Sequence, residues 1–161
     1  MDEIKKIVAG EKGQAGIALP VLDAVAGGYC GDPFAVLGPH KAISRDAWIV
    51  RAFLPQAETA EVVLADGRRV PLERLHKEGV FAATIPGAQC GYRLGLRDWH
   101  GIESEIEDPY RFGTIITSFD LHLYSEGKLY EAWNTMGAHC MAVEGVAGVR
   151  FAVWAPNAET V

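Results

Sequence analysis

Six short apolar-rich runs, set close together with turn-forming residues between them, constrain this chain more than any other feature. They are Trp48 to Leu54, Glu61 to Ala65, Arg68 to Leu72, Val80 to Ile85, Tyr92 to Leu96 and Ile102 to Ile106. Asp66-Gly67 joins the second to the third at hairpin spacing, and Asp98-Trp-His-Gly101 turns the fifth into the sixth. Runs of this length have no room for a crossover helix between them, so the strands they form must pair antiparallel. A turn every eight to twelve residues indicates an all-β, immunoglobulin-like antiparallel β-sandwich. The Cys–Trp–Cys spacing of antibody domains is absent, so the expectation concerns architecture alone.

The first run also returns. Trp48-Ile-Val-Arg-Ala-Phe-Leu-Pro-Gln-Ala-Glu-Thr59 is echoed by Val149-Arg-Phe-Ala-Val-Trp-Ala-Pro-Asn-Ala-Glu-Thr-Val161, with Pro55 on Pro156, Phe53 on Trp154 and Val50 on Phe151. Proline cannot donate to a sheet ladder, so each copy reads as a strand that stops at its proline. One long-period repeat suggests two related β-domains in tandem. The second copy has hardly begun when the sequence stops. The expectation is therefore a strand without a partner, the first of a truncated second sandwich, in the amino-terminal piece of a longer protein.

Four segments follow from this pattern. Residues 1–28 read as short helical pieces. In the first, Asp2 caps a turn carrying Ile4, Ile7 and Val8 that Gly10 closes; in the second, Pro20 opens a helix with a Val21, Leu22, Val25 stripe, ended by Gly27. Residues 29–113 form the sandwich. It is entered through the loop-strand-loop Asp32-Pro-Phe-Ala-Val-Leu-Gly-Pro-His40 and left at Asp108-Pro-Tyr-Arg-Phe-Gly113. Residues 114–148 read as a connector with a short helix, because Leu129, Trp133 and Met136 share one helical face and Gly137 can stop it. Residues 149–161 are the repeated strand.

Charge and composition narrow the function. A net charge of -6 lacks the basic face that nucleic acid needs. The apolar run from Ile17 to Gly28 is broken by Pro20 and Asp23 and is too short to cross a bilayer. Met1-Asp-Glu-Ile-Lys-Lys does not begin a secretory signal. Cys30, Cys90 and Cys140 lie far apart in odd number, which suits a reducing compartment better than a disulfide framework or a zinc site. The expected location is the cytoplasm, with neither nucleic acid nor membrane as partner.

Chemistry-bearing motifs are missing from the sequence. It has no phosphate-cradling glycine loop, GxSxG elbow or HExxH pair. His40, His76, His100, His122 and His139 stand singly, without ligand spacing. Glu103, Glu105 and Glu107 alternate with Ile102, Ser104 and Ile106; they read as the solvated face that blunts an edge strand rather than as a cation site. The expectation is no catalytic residue, no metal and no cofactor. Sugar binding remains open: Trp99 at a hairpin tip, with Tyr92 nearby, is suitable for stacking on a pyranose, although a tip tryptophan also packs on neighbouring protein.

Taken in order, several segments carry a family resemblance. Asp32-Pro-Phe-Ala-Val-Leu-Gly-Pro-His40, Asp108-Pro-Tyr-Arg-Phe-Gly113, Asp120-Leu-His-Leu-Tyr-Ser-Glu-Gly127, Gly137-Ala-His139 and Gly145-Val-Ala-Gly-Val-Arg-Phe-Ala-Val-Trp-Ala-Pro-Asn157 resemble the amino-terminal part of bacterial 1,4-α-glucan (glycogen) branching enzymes, from about Val21 to Val161. Thr114-Ile-Ile-Thr-Ser118 and Cys140-Met141 depart from that pattern. The resemblance implies an amino-terminal sandwich, then a carbohydrate-binding-module sandwich, then an α-amylase-type barrel that holds all the catalytic carboxylates. It implies an accessory role here, helping to hold α-glucan (glycogen or a maltooligosaccharide) or to set transferred chain length, with the remaining enzyme domains as partners. The alternatives are a structural spacer that touches no sugar, or the equivalent module of a debranching or trehalose-releasing amylase.

Overall fold

The computed structural model describes residues 17–42, 46–155 and 157. The expected turn at Asp2 to Gly10 and the repeated Pro156 lie outside them. The chain divides into two compact units that part between Arg111 and Phe112.

The first unit is the expected antiparallel sandwich. Its strands are β1 (Gly38–Lys41), β2 (Ala47–Phe53), β3 (Ala57–Leu64), β4 (Arg69–His76), β5 (Val80–Pro86), β6 (Tyr92–Asp98) and β7 (Glu103–Ile106). Their spatial order is β1-β2-β5-β4-β3-β6-β7. This is the seven-strand immunoglobulin arrangement, β1-β2-β5-β4 on one side and β3-β6-β7 on the other.

Strand β4 joins the two sides. Its first half pairs with β3, from Val63↔Arg69 to Ala60↔Leu72. Its second half pairs with β5, from Glu73↔Ala82 to His76↔Val80. The sequence had suggested a strand ending at Leu72; the structure carries it on to His76, because Glu73 to His76 find a second ladder beyond the first. The β3–β4 turn is tight. Gly67 has φ +86°, and the Asp66 carboxylate accepts from the Arg68 amide at 2.9 Å.

Alternation fills the space between the sheets. Trp48, Val50 and Ala52 of β2 meet Ala60, Val62 and Leu64 of β3, with Phe81 and Ile85 of β5 and Tyr92 and Leu94 of β6. Each side chain is at most 7% exposed. Burying a Val, Ile or Phe contributes about 1.5–3 kcal/mol.

A second cluster lies beneath helix α1 (Leu19–Ala26), where Val21, Leu22 and Val25 form the expected stripe. They pack with Val36, Leu37 and Val80. Helix α1 has no side-chain N-cap, so this burial, rather than propensity, holds it. His76 Nε2 lies 3.1 Å from Asp23 Oδ1 and ties the helix to β4.

The second unit corrects two expectations. Leu129, Trp133 and Met136 do not share a helix: Ala132–Asn134 is one 3-10 turn, and the helix of this region is α2 (Ser118–Ser125). The deciding feature is its start. The Thr117 hydroxyl and the Asp120 carboxylate each accept from the other's backbone N–H, a reciprocal cap that satisfies two otherwise orphaned donors.

The repeated strand, moreover, has a partner. β9 (Val146–Ala152) pairs along its whole length with β8 (Gly137–Val143), from Val143↔Val146 to Gly137↔Ala152. Gly137 at φ +94° opens a strand rather than closing a helix, and Glu144-Gly145 at φ +50° and +81° supplies a two-residue hairpin turn. The residues read as connector therefore contain the missing strand.

Candidate carbohydrate-contact site

Strand β6 ends at Asp98, and the next residue, Trp99, is 64% exposed. The loop that presents it is rigid for a local reason. Asp98 Oδ1 accepts from the amides of His100 and Ile102, both at 2.8 Å. The Asp98 amide donates to Ile102 O at 3.0 Å, and Gly101 turns the chain at φ +81°. These bonds favour the charged carboxylate, and the Ile102 amide before all holds Asp98 below its ordinary carboxylate value.

Arg74 of β4 steadies the indole from below. Its guanidinium carbon lies 5.5 Å from the Trp99 ring and 4.4 Å from the Phe81 ring, close enough for a cation–π attraction to both. The same guanidinium donates to Glu58 O at 3.1 Å and to Lys77 O at 3.3 Å. An arginine held by backbone carbonyls thus lies against one exposed tryptophan. The sequence singled out Trp99 but gave no sign of Arg74, since the two meet only through the fold.

Tyr92 does not join this site. It lies at the opposite end of β6, is 4% exposed, and packs on Trp48 with ring centroids 5.4 Å apart. Its hydroxyl donates to the buried Asp108 at 2.6 Å. A ring so enclosed offers no face to a sugar, so its expected role in stacking is corrected to one in the core. Tyr92 alternates with Leu94 along β6, and the strand's inward face is where it belongs.

The acidic strand is an edge, as expected: β7 is last in the sheet and exposed throughout. Its carboxylates are not simply solvated, however. Glu105 pairs with Arg69 of β4 at 2.6 Å and with Arg93 of β6 at 3.0 Å, and Arg69 also pairs with Glu61 of β3. Four strands are laced on their outer face. Ile106 of β7 is 37% exposed, and Ile102, just before the strand, 64%.

Among the described residues, no three His, Cys, Asp or Glu side chains gather as metal ligands would. Cys30, Cys90 and Cys140 are free thiols. None of the described helices is long and apolar enough to cross a membrane.

The sandwich that carries Trp99 matches a known family over residues 19–110, described as alpha-1,4-glucan branching enzyme GlgB, N-terminal domain. The chain belongs to the GlgB N-terminal domain family. The match includes Trp99, Arg74 and the laced outer face. A 1,4-alpha-glucan branching enzyme GlgB 2 of Rhizobium johnstonii is 46% identical over 149 residues, which cover 91% of this chain and 20% of that protein. A GlgB 2 of Xanthomonas oryzae pv. oryzae is 45% identical over 141 residues, 88% of this chain and 19% of its own length. The chain thus spans about one fifth of these GlgB relatives. Among solved structures, pullulanase type I from Bacillus subtilis in complex with maltose aligns over 44% of this chain and 10% of its own, with 26% identity and a TM-score of 0.37. That overlap is too slight to bear on function.

Proposed function

We propose that this chain is the amino-terminal accessory region of a cytoplasmic 1,4-α-glucan branching enzyme, and that it contacts the glucan through Trp99. The parent reaction cuts an α-1,4 linkage and transfers the released chain to a 6-hydroxyl by way of a covalent glycosyl-enzyme. Acceptor and donor chains must both be held while that happens, and an accessory sandwich that holds one of them helps to set the length of the chain transferred. The partners on this reading are α-glucan and the remaining domains of the enzyme. The family match and the GlgB relatives support the assignment. The observation that carries the glucan contact is an indole 64% exposed on a turn held by the Asp98 carboxylate.

A pyranose laid on that ring removes apolar surface from water at roughly 25 cal/mol per Å². One such platform supports affinity on the order of millimolar, about 4 kcal/mol. Titration with maltoheptaose is expected to shift the Trp99 indole signal along a saturable curve, and Trp99→Ala to abolish the response while the fold persists. Amylose incubated with the chain alone is expected to show no new branch points or reducing ends. The second reading, a spacer that touches no sugar, draws on the Arg74 guanidinium already lying against the Trp99 ring. An absence of any saturable shift up to about tens of millimolar sugar decides for the spacer.

A further inference from the structure

The second unit repeats more of the first than one strand. Helix α1 (Leu19–Ala26), a 3-10 turn at Pro33–Ala35 and the start of β1 at Gly38 recur as α2 (Ser118–Ser125), Ala132–Asn134 and the start of β8 at Gly137, each 99 residues on. The contacts recur with the elements. Gly38 opens β1 at φ +86° and Gly137 opens β8 at +94°. His40 Nε2 lies 3.0 Å from Leu37 O, and His139 Nε2 lies 2.9 Å from Met136 O. Gly38 pairs with Arg51, and Gly137 with Ala152, the residue that the sequence repeat sets on Arg51. Phe53 packs in the cluster beneath α1, and its counterpart Trp154 meets Tyr124 of α2 with ring centroids 5.2 Å apart.

The other face of the hairpin differs. In β2, Trp48, Val50 and Ala52 point into the sandwich and are at most 2% exposed. Their counterparts Val149, Phe151 and Val153 are 50%, 73% and 64% exposed. Cys140 and Ala138, paired with Val149 and Phe151, are exposed beside them, so this sheet face is apolar throughout. From Phe112 on, none of the described residues is buried. A two-stranded hairpin is marginal by itself, and a continuous apolar face marks a place where other protein packs. In the first unit the equivalent face is covered by Val62 and Leu64 of β3 and by Tyr92 and Leu94 of β6, strands that follow β2 in sequence. The GlgB relatives, of which this chain spans about one fifth, have the polypeptide to supply the same cover.

We propose that residues 117–154 duplicate the helix-and-hairpin opening of the first unit, and that the face of Ala138, Cys140, Val149, Phe151 and Val153 is the docking surface for a second β-sheet, supplied by the polypeptide that follows Val161 in the branching enzyme. The inference rests on the reading of this chain as the amino-terminal region of that enzyme. The second module then begins at Thr117 rather than at Val149, and α2 and β8 belong to it instead of to a connector. Its partner is a sheet with alternate apolar side chains turned inward, since sheets pack face to face through such side chains. The edge of β9 opposite β8 takes a strand as β2 takes β5.

Cys140 lies on the proposed face, whereas Cys90 is an exposed thiol of the first unit. Maleimide labelling of the full chain, read by peptide mass and taken relative to the urea-unfolded chain, follows both thiols at once. In the chain alone Cys140 is expected to label as fast as Cys90. Joining the residues that follow the aligned stretch in the Rhizobium johnstonii GlgB 2 is expected to slow Cys140 about tenfold or more, as closure over a site does, and to leave Cys90 unchanged. Phe151→Asp is expected to restore fast labelling in the joined protein. Where the joined protein does not fold, the same residues added as a separate polypeptide are expected to slow Cys140 likewise. An unchanged Cys140 rate in both arrangements overturns the docking surface. Slow labelling in the chain alone also overturns it, because the face is then already covered by the chain itself or by a second copy. The Trp99 titration reads the first unit, so a failure there and a failure here are told apart.

Discussion

The Tyr92 hydroxyl donates to Asp108 Oδ2 at 2.6 Å, and the carboxylate is 1% exposed. Asp108 Oδ1 accepts from the Tyr110 amide at 2.9 Å. The pair fastens the chain beyond β7 to the start of β6, where the sandwich closes. Loss of the phenolic donor in Tyr92→Phe leaves a buried carboxylate short of a partner and is expected to cost about 2 kcal/mol, read as a lower urea midpoint at unchanged slope.

The same pair gives a pH dependence of definite sign. Burial raises the Asp108 carboxyl above its ordinary value of 3.8, against the opposing Tyr92, Tyr110 and Arg111. The folded state therefore holds this proton more tightly than the unfolded state does. The stabilisation from Asp108 is fully present below the unfolded value and is lost as pH rises through the folded one. Wild type is thus expected to gain on Asp108→Asn as pH falls from neutral toward 4. Parallel urea titrations would show it, and a gap independent of pH would contradict it.

Gly79 and Gly67 separate backbone strain from collision. Both have positive φ, +98° and +86°. A Cβ at Gly79 would come within 2.6 Å of Pro55 Cα and 2.7 Å of Leu54 O, whereas Gly67 has open space. Gly67→Ala is expected to cost about 1 kcal/mol from conformation alone. Gly79→Ala adds the displacement of the β2–β3 corner, where the Leu54 amide donates to Gly79 O at 2.7 Å, and is expected to cost about 3 kcal/mol in all. Denaturant midpoints compare the two.

Arg74 is expected to control the order of Trp99. Arg74→Met keeps an unbranched side chain of similar reach and removes the guanidinium over Phe81 together with the donors to Ala57 O, Glu58 O and Lys77 O. Stability is expected to fall by about 1–2 kcal/mol, and the Trp99 indole signal to move toward the shift of a solvated tryptophan. An unchanged indole signal would place the turn's rigidity in Asp98 alone.

Glu105 lies between two guanidiniums on an exposed face, and pairs of that kind are worth little singly. Glu105→Gln is expected to change stability by less than about 1 kcal/mol. Glu105→Lys places a third cation beside Arg69 and Arg93 and is expected to free β7, seen as faster amide exchange from Glu103 to Ile106 at low salt and partial recovery at high salt.

The sandwich was legible in the sequence because one face of each strand must be apolar. Val50 and Ala52, Val62 and Leu64, and Tyr92 and Leu94 announce their burial by alternation alone. Tyr92 was misassigned to the surface by giving its chemistry more weight than its place in that alternation. Helix α2 was missed because its signal is a cap, Thr117 with Asp120, rather than an apolar stripe, and strand β8, the partner of β9, because Gly137 suits a helix end and a strand start equally. The contact between Arg74 and Trp99 could not be read at all, because it joins residues far apart in sequence.

Strand β4 has a consequence for how the chain folds. The strands β3, β4 and β5 follow one another in sequence and lie side by side, joined by short turns at Asp66-Gly67 and at Gly79. This meander needs little loop-closure entropy, whereas β2 must reach β5 and β6 must reach β3 across longer stretches of chain. The middle of the sheet order is therefore the cheapest part to assemble, and the outer strands have a template on either flank. Substitutions at Val62 and Leu72 are expected to slow refolding, while those at Val50 or Leu94 chiefly hasten unfolding. By this order Trp99, on the turn after β6, reaches Arg74 only when β6 arrives, and that contact is among the last the domain makes.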